Sequence, residues 1–502
     1  MGTLVVSLLA LATASIPTTI VGTTQSPSEA AATHLKAAAE AAQREDCETT
    51  LKEVGPVVDG NTAGLPTNLL AAAFDLAIVC NAQLNEIEKT GQYAHRATSL
   101  TEASDLAWRM RFSADYDAER YSQAVETLES MRQSRAALLN GLDPRWIWRL
   151  HFALKRARLN GLDKRLLTIL TAPLYEPEDP SFIIDDGRGN AKAILAGYYM
   201  AEGDRAGALK LAAELSSVSA ITEALFNPDL RAASRLSSNL RVAAEADLNR
   251  LRDLKKRFPN SLRPLIGEAN ALRQLGRPAD AIAALELARS RIESSPPFDD
   301  QAENLPWWWN ELGYAHSMAG NYDAMVASFT SGSALNEDGS PNVSQVINLG
   351  TQQVAFGRYD DALRSVSPEF LKRDMSPFGK MQALSVRGCA LALSGKVAEA
   401  QAVLREAIAH ESDDPATVTD LRLCSGEEAE AAASYVKRLM DQRQRPIALK
   451  ELANYAKPAP NAPIDPRDLR RAKVALRPEV QKALNAAGGV VEVPLQRNSL
   501  GW

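Results

Sequence analysis

Residues 306–329 read Pro306-Trp307-Trp308-Trp309-Asn310-Glu311-Leu312-Gly313-Tyr314-Ala315-His316-Ser317-Met318-Ala319-Gly320-Asn321-Tyr322-Asp323-Ala324-Met325-Val326-Ala327-Ser328-Phe329. Trp309, Leu312, Gly313 and His316 fall at helical spacing on one face. Gly320 breaks that run, because glycine accepts the left-handed backbone a helix C-terminus commonly needs. Met325 and Phe329, four apart, begin a second apolar stripe. The stretch therefore predicts a helix, a tight turn and a second helix. The same phrase returns elsewhere without being copied. Leu349-Gly350 is followed by Gly357-Arg358-Tyr359 and Ala362, and Arg387-Gly388 by Gly395-Lys396-Val397, Ala400 and Ala407. Glu268-Ala269 precedes Gly276-Arg277-Pro278, Ala281 and Ala288. Gly313, Gly350 and Gly388 stand 37 and 38 residues apart, and Ala269 lies 44 before Gly313. A period of this length, with small residues where two helices must approach closely, marks a helical repeat array. One such hairpin cannot bury its apolar face alone, so neighbours must stack.

The pattern resembles the tetratricopeptide repeat. Trp309, Leu312, Gly313, Tyr322, Phe329, Ala362 and Ala400 stand at that family's signature offsets. It departs from the family at Met325, a slot usually filled by a small residue, and in lacking a proline to close most units. The resemblance covers residues 262–409 and is visible more weakly at 191–215 and 108–128. It implies an all-α protein, an α-solenoid of stacked hairpins, in which the first helix of each unit lines a concave groove that takes a protein segment. The residues it places in that groove are Asn270 and Arg273, then Trp307, Asn310, Glu311 and Tyr314, then Ile347, Asn348 and Thr351. Aromatic area beside amide donors and acceptors is what peptide recognition requires. Trp309 takes the core slot, Trp307 the groove and Trp308 the flank; packing of all three between repeats is the alternative. Trp146 and Trp148 form either a second aromatic patch or part of the core. A clamp for a terminal carboxylate is excluded, because Ile266, Glu311 and Ser344 stand where two lysines and an asparagine would be needed, and Glu311 would repel the carboxylate.

Chemistry of other kinds leaves few traces. The net charge of −6 and the absence of a dominant Lys/Arg block argue against a nucleic-acid partner. No HExxH, GxSxG, phosphate loop or dinucleotide fingerprint occurs, and the five histidines are scattered singly. Ser434-Tyr435-Val436-Lys437 matches SxxK without companion motifs, and Asp185-Asp186 lacks the rest of a calcium loop. The expectation is a non-catalytic protein with no cofactor and no metal.

The ends and the cysteines point to export. Leu4–Ala14 is apolar and Ala12-Thr13-Ala14 is a small-x-small cleavage site, so residues 1–25 read as a leader, although no Lys or Arg precedes the apolar run. If uncleaved, that leader is the one expected membrane attachment. Cys47 and Cys80 are 33 apart and Cys389 and Cys424 are 35 apart, each about one repeat, which reads as two disulfides, with four buried thiols as the alternative. Arginine outnumbers lysine about two to one, a weak pointer to a GC-rich bacterial genome. Helical hairpins are expected over 29–225, interrupted at 176–190 (EPEDPSFIIDDGRGN), and the better-formed repeats over 228–445, starting with a basic amphipathic helix at 243–258. A Pro-rich linker, a short helix and a tail occupy 457–502. That tail could add as a strand to a partner, cap the repeats, or hang loose. These readings predict an exported bacterial scaffold or adaptor, periplasmic, secreted or associated with the outer membrane, that binds a protein segment. The alternative is a structural component of a secretion, pilus or polysaccharide-export assembly. An enzyme, or its regulatory half, would need a site built from loops such as 176–190.

Overall fold

The computed structural model describes residues 27–497, apart from 61, 63, 234–239, 295 and 338, so the leader lies outside the described residues. The chain divides into two compact units between Phe182 and Ile183. In the first, the hairpins pair Pro27–Gln43 with Cys47–Val58, Thr67–Gln83 with Ile87–Ala97, Asp105–Asp117 with Tyr121–Ser134, and Pro144–Arg156 with Asn160–Leu170. In the second, Gly187–Ala201 pairs with Arg205–Ala213, and the basic helix Leu240–Arg257 buries Leu248, Leu251 and Leu254. Five regular hairpins follow: Arg263–Gln274 with Pro278–Glu286, Gln301–Met318 with Tyr322–Ser333, Val343–Ala355 with Tyr359–Ser365, Pro377–Leu393 with Val397–Ala409, and Pro415–Ser425 with Glu428–Met440. The fold is an all-α array of tetratricopeptide-type hairpins. Among the described residues the strands are two-residue pairs only.

One backbone bond recurs through both units. At each hairpin turn an amide donates to the carbonyl five residues before it, closing the first helix in a Schellman motif. In the first unit the donors are Asp46, Glu86, Arg120 and Leu159; in the second they are Asp204, Arg277, Asn321, Arg358, Lys396 and Glu427. The distances lie between 2.8 and 3.1 Å. The residue before each donor has positive φ. In the second unit it is always glycine: Gly203, Gly276, Gly320, Gly357, Gly395 and Gly426. In the first it is Glu45, Asn85, Glu119 and Arg158. The two units thus share one turn built from different residues.

Close helix contacts explain the other glycines. A Cβ at Gly313 would lie 2.7 Å from the Phe329 ring, inside its own hairpin. At Gly350 it would meet Val386, and at Gly388 Leu421, each on the first helix of the next hairpin, at 2.7 and 2.3 Å. These positions therefore set both the width of a hairpin and its spacing from the neighbour.

The cysteines meet in pairs across neighbouring hairpins. Cys47, at the start of a second helix, lies at disulfide distance from Cys80, and Cys389 from Cys424, with Cα atoms 5.0 Å apart in both. The stretch 176–190 is less open than its composition suggests. A one-turn helix runs over Ser181–Ile184, and the next begins at Gly187 rather than Ala191, because Asp186 caps it by accepting from the Gly189 amide at 3.1 Å.

The C-terminal segment folds back on the second unit. Glu492–Val493 pairs in parallel with Asn454–Tyr455, and Val491, Val493 and Leu495 are buried. The Gln496 amide donates to the Gln274 carbonyl at 2.8 Å, at the end of a first helix, and Arg497 pairs with Asp468 at 2.6 Å. Arg470 donates to the Leu423 and Cys424 carbonyls, satisfying another helix end. Up to Arg497 the tail is a cap. Of the three readings of the tail, the cap is the one these contacts favour: one strand edge is paired and the apolar side chains are buried.

Candidate functional site

The predicted groove residues sit on the first helices of three successive hairpins, and most are committed to one another. On Arg263–Gln274, Arg273 is only 5% exposed; its Nε donates to Glu311 Oε2 at 2.9 Å and an Nη to Oε1 at 3.2 Å. This fork-on-carboxylate geometry is the strong form of the ion pair. Asn270 reaches the same carboxylate at 3.5 Å and accepts from Gln274 at 2.6 Å. The Arg273 guanidinium also lies 5.1 Å from the centre of the Tyr314 ring. One turn along, buried Asn348 donates to buried Asn310 at 2.9 Å. Glu311 and Tyr314 are buried as well.

Tyr314 packs edge-on against Phe329, their ring centres 5.1 Å apart, and its hydroxyl has no hydrogen-bond partner among the described residues. Burial pushes its ionisation well above the usual phenol range. The hydroxyl therefore stays protonated near neutrality.

The three indoles separate sharply. Trp308, not Trp309, is the core residue: it is fully buried, and its Nε1–H donates to the Leu285 carbonyl at 3.2 Å. Trp308, Leu312 and Ala315 form the buried stripe, at positions i, i+4 and i+7. Trp309 is partly buried one step round, beneath the Arg289 guanidinium at 5.0 Å. Trp307 remains 39% exposed. Of the nine predicted groove residues, Trp307 and the partly buried Asn270 and Thr351 keep surface open to a partner.

The sequence reading missed the rest of the polar seam. Gln345 donates to the Pro306 carbonyl, and Ser317 donates to Gln352 at 2.6 Å. With Asn310–Asn348 these contacts tie Gln301–Met318 to Val343–Ala355 along their length. The signal was present: Gln345, Asn348 and Gln352 fall at i, i+3 and i+7, a polar stripe on the buried face of their helix. Directional contacts between buried polar groups fix the register of two helices where apolar contacts would allow sliding, although Gln345 Oε1 itself has no partner among the described residues.

Neither suspected reactive motif is assembled. Ser434 accepts from Arg422, while Lys437 pairs with Glu411 at 2.9 Å. Asp185 pairs with Arg263 and Asp186 caps a helix. Among the described residues no cluster of His, Cys, Asp and Glu could hold a metal, and no helix is long and apolar enough to cross a membrane.

No family model and no curated protein matches this chain. Among solved structures it is similar to a chain of Naa15/Naa10 bound to HypK-THB, at 14% identity and a TM-score of 0.24, covering 84% of this chain and 65% of that one, just under two thirds of its length. It is similar to a chain of the APC/C Cut9–Hcn1 hetero-tetramer at 12% identity and a TM-score of 0.29, covering 97% and 99%. Against yeast Tom70 the identity is 11% and the TM-score 0.24, covering 84% and 94%. Overlaps this loose assign no partner and no activity. The recurring Schellman turn, the close-packed small residues and the stacked hairpins are this chain's own, and they make its fold a tetratricopeptide-type helical array.

Proposed function

We propose that this protein is a non-catalytic scaffold that binds a protein segment across the first-helix face centred on Trp307. The carrying observation is the contrast at that point: an indole 39% exposed stands on a helix whose register is fixed by buried polar contacts on either side. A large, rigid aromatic surface on a preorganised support loses little entropy on binding, and it is what interface hot spots are made of. Asn270, which reaches Glu311 on the same helix as Trp307, supplies an amide. Arg273, Asn310, Glu311, Tyr314 and Asn348 act as positioning residues: they hold the helices, and a partner meets them only indirectly. The two cysteine pairs support an oxidising compartment, hence the cell envelope or the exterior, with residues 1–25 as the export signal.

Trp307→Ala tests this directly. Partner affinity should fall about 30-fold, the scale of a hot-spot residue, with an unchanged circular dichroism spectrum. Retained affinity in a folded variant would remove Trp307 from the interface. The buried polar seam also favours a second reading, a structural spacer in a secretion, pilus or polysaccharide-export assembly. That reading predicts stable co-purification with a large complex that Trp307→Ala leaves intact.

A further inference from the structure

The exposed face of the helix Pro144–Arg156, in the first unit, has a composition that the whole-chain charge conceals. Residues 145–165 carry seven cations (Arg145, Arg149, Lys155, Arg156, Arg158, Lys164 and Arg165) and one acid, Asp163, in a protein of net charge −6. Asp163 is buried against His151 at 2.6 Å, and the carboxylate of the capping Asp143 is held by Arg145, so past the cap no carboxylate of this stretch meets the surface. Ile147, Leu150, His151 and Leu154 take the inner face of the helix. Arg145, Arg149, Phe152 and Arg156 fall at i, i+4, i+7 and i+11, which aligns them in one outward stripe, and all four are exposed. Lys155 stands beside them, exposed, and Trp148 lies against Phe152 with ring centres 6.4 Å apart.

Two features separate this stripe from an ordinary solvated face. Phe152 is 59% exposed at its centre, where a soluble helix would carry a polar residue. And most of its cations are uncommitted: Arg145 pairs with Asp143 at 2.8 Å, but Arg149, Lys155, Arg156 and Arg158 make no side-chain hydrogen bond or ion pair among the described residues. Arg149 contacts only the Trp146 ring, at 5.3 Å. Elsewhere in the first unit comparable arginines are paired, as Arg120 is with Asp115 and Glu88; within the stretch, Arg165, on the following helix, is paired with Glu129.

We propose that this face docks the protein onto an anionic membrane surface, with Phe152 and Trp148 entering the headgroup boundary and Arg149, Lys155 and Arg156 meeting lipid phosphates. The chemistry is that of an interfacial amphipathic helix, in which aromatic rings partition at the boundary and cations are drawn to anionic lipid. A row of cations set around a projecting ring on one helix face matches a sheet of anionic headgroups. The proposal concerns the first unit and is independent of the Trp307 face.

Co-sedimentation of the full chain with phosphatidylcholine vesicles, with and without phosphatidylglycerol, tests it. Sedimentation is expected with the anionic vesicles only and should fall as salt is raised. Each surface cation contributes about fivefold, so R149Q/R156Q should lose about 25-fold in partitioning, and Phe152→Ala should weaken the part that survives high salt. All three residues are exposed, and circular dichroism verifies the fold; should a variant not fold, the salt titration of the unaltered protein still decides. Absence of sedimentation, equal sedimentation with neutral vesicles, or R149Q/R156Q behaving as the native protein would overturn the proposal. Binding of polyglutamate in solution without vesicle sedimentation would also overturn it, and would reassign the face to an acidic protein segment.

Discussion

Trp307 and Trp308 are neighbours whose side chains meet opposite surroundings, one partly in solvent and the other closed between hairpins. Replacing them with alanine should therefore separate stability from binding. Trp308→Ala removes a fully buried indole and the bond to the Leu285 carbonyl, and should destabilise by about 3–5 kcal/mol in denaturant titration. Trp307→Ala should cost less than about 1 kcal/mol. Equal losses would mean that both indoles are structural. A second residue gives a pH dependence. Asp75 is partly buried beside Ser104, whose hydroxyl donates to it at 2.6 Å, and desolvation pushes its carboxyl up from 3.8 to about 6 despite that bond. Because the folded state raises this pKa, its contribution to stability is fully present below pH ~4 and is lost as pH rises through about 6. Asp75→Asn should thus be more stable than the native chain at pH 8, by about 1–2 kcal/mol, and the gap should close in acid. A constant difference across that range would contradict the assignment. The indole slots also show how family offsets can mislead by one position. They assign Trp309 to the core, but the apolar stripe runs through Leu312 and Ala315, and it is Trp308 that continues it.

At the scale of a hairpin, the turn decides what the sequence reveals. Gly276, Gly320, Gly357 and Gly395 made the second unit readable, because glycine is the usual residue at the left-handed position. The first unit makes the same turn with Glu45, Asn85, Glu119 and Arg158, so its repeats look degenerate in sequence while their backbone is equivalent. A left-handed conformation costs a non-glycine residue about 1 kcal/mol. Glu119→Gly should recover part of this, raising the stability of the first unit by about 0.5–1 kcal/mol, less the greater entropy of glycine in the unfolded chain. Gly320→Ala should destabilise, both through its φ of +81° and because the new Cβ would come within 2.6 Å of the Asn461 carbonyl oxygen. If both substitutions were neutral, the turn would not be the element that defines the repeat. The first-helix face was legible only in part for a related reason. Offsets locate the first-helix face, but they do not show that Arg273 finds Glu311, or Asn310 finds Asn348, 38 residues away in each case.

Over the whole chain, what could be read depended on local periodicity, and what could not depended on distant meetings. The cysteine pairs were legible because their spacing is one repeat. The fold-back of the C-terminal segment was not, since the contact of Gln496 with Gln274 spans most of the second unit and leaves no periodic trace. Ending the chain at Ala453 would strip the cover from Gln274 and Gly320 and remove the buried Val491, Val493 and Leu495, so a truncated protein should melt earlier and bind more hydrophobic dye than the full one. Intact mass of protein from its native host should show no alkylatable thiol before reduction; four free thiols would withdraw the oxidising compartment. The most direct test of the scaffold reading is photo-crosslinking in that host, from a photoreactive residue placed at Trp307 and, as a control, at the exposed Val397 on a second helix. The account predicts one discrete protein adduct from position 307 and none from 397. No adduct at 307, or the same adducts from both positions, would contradict it.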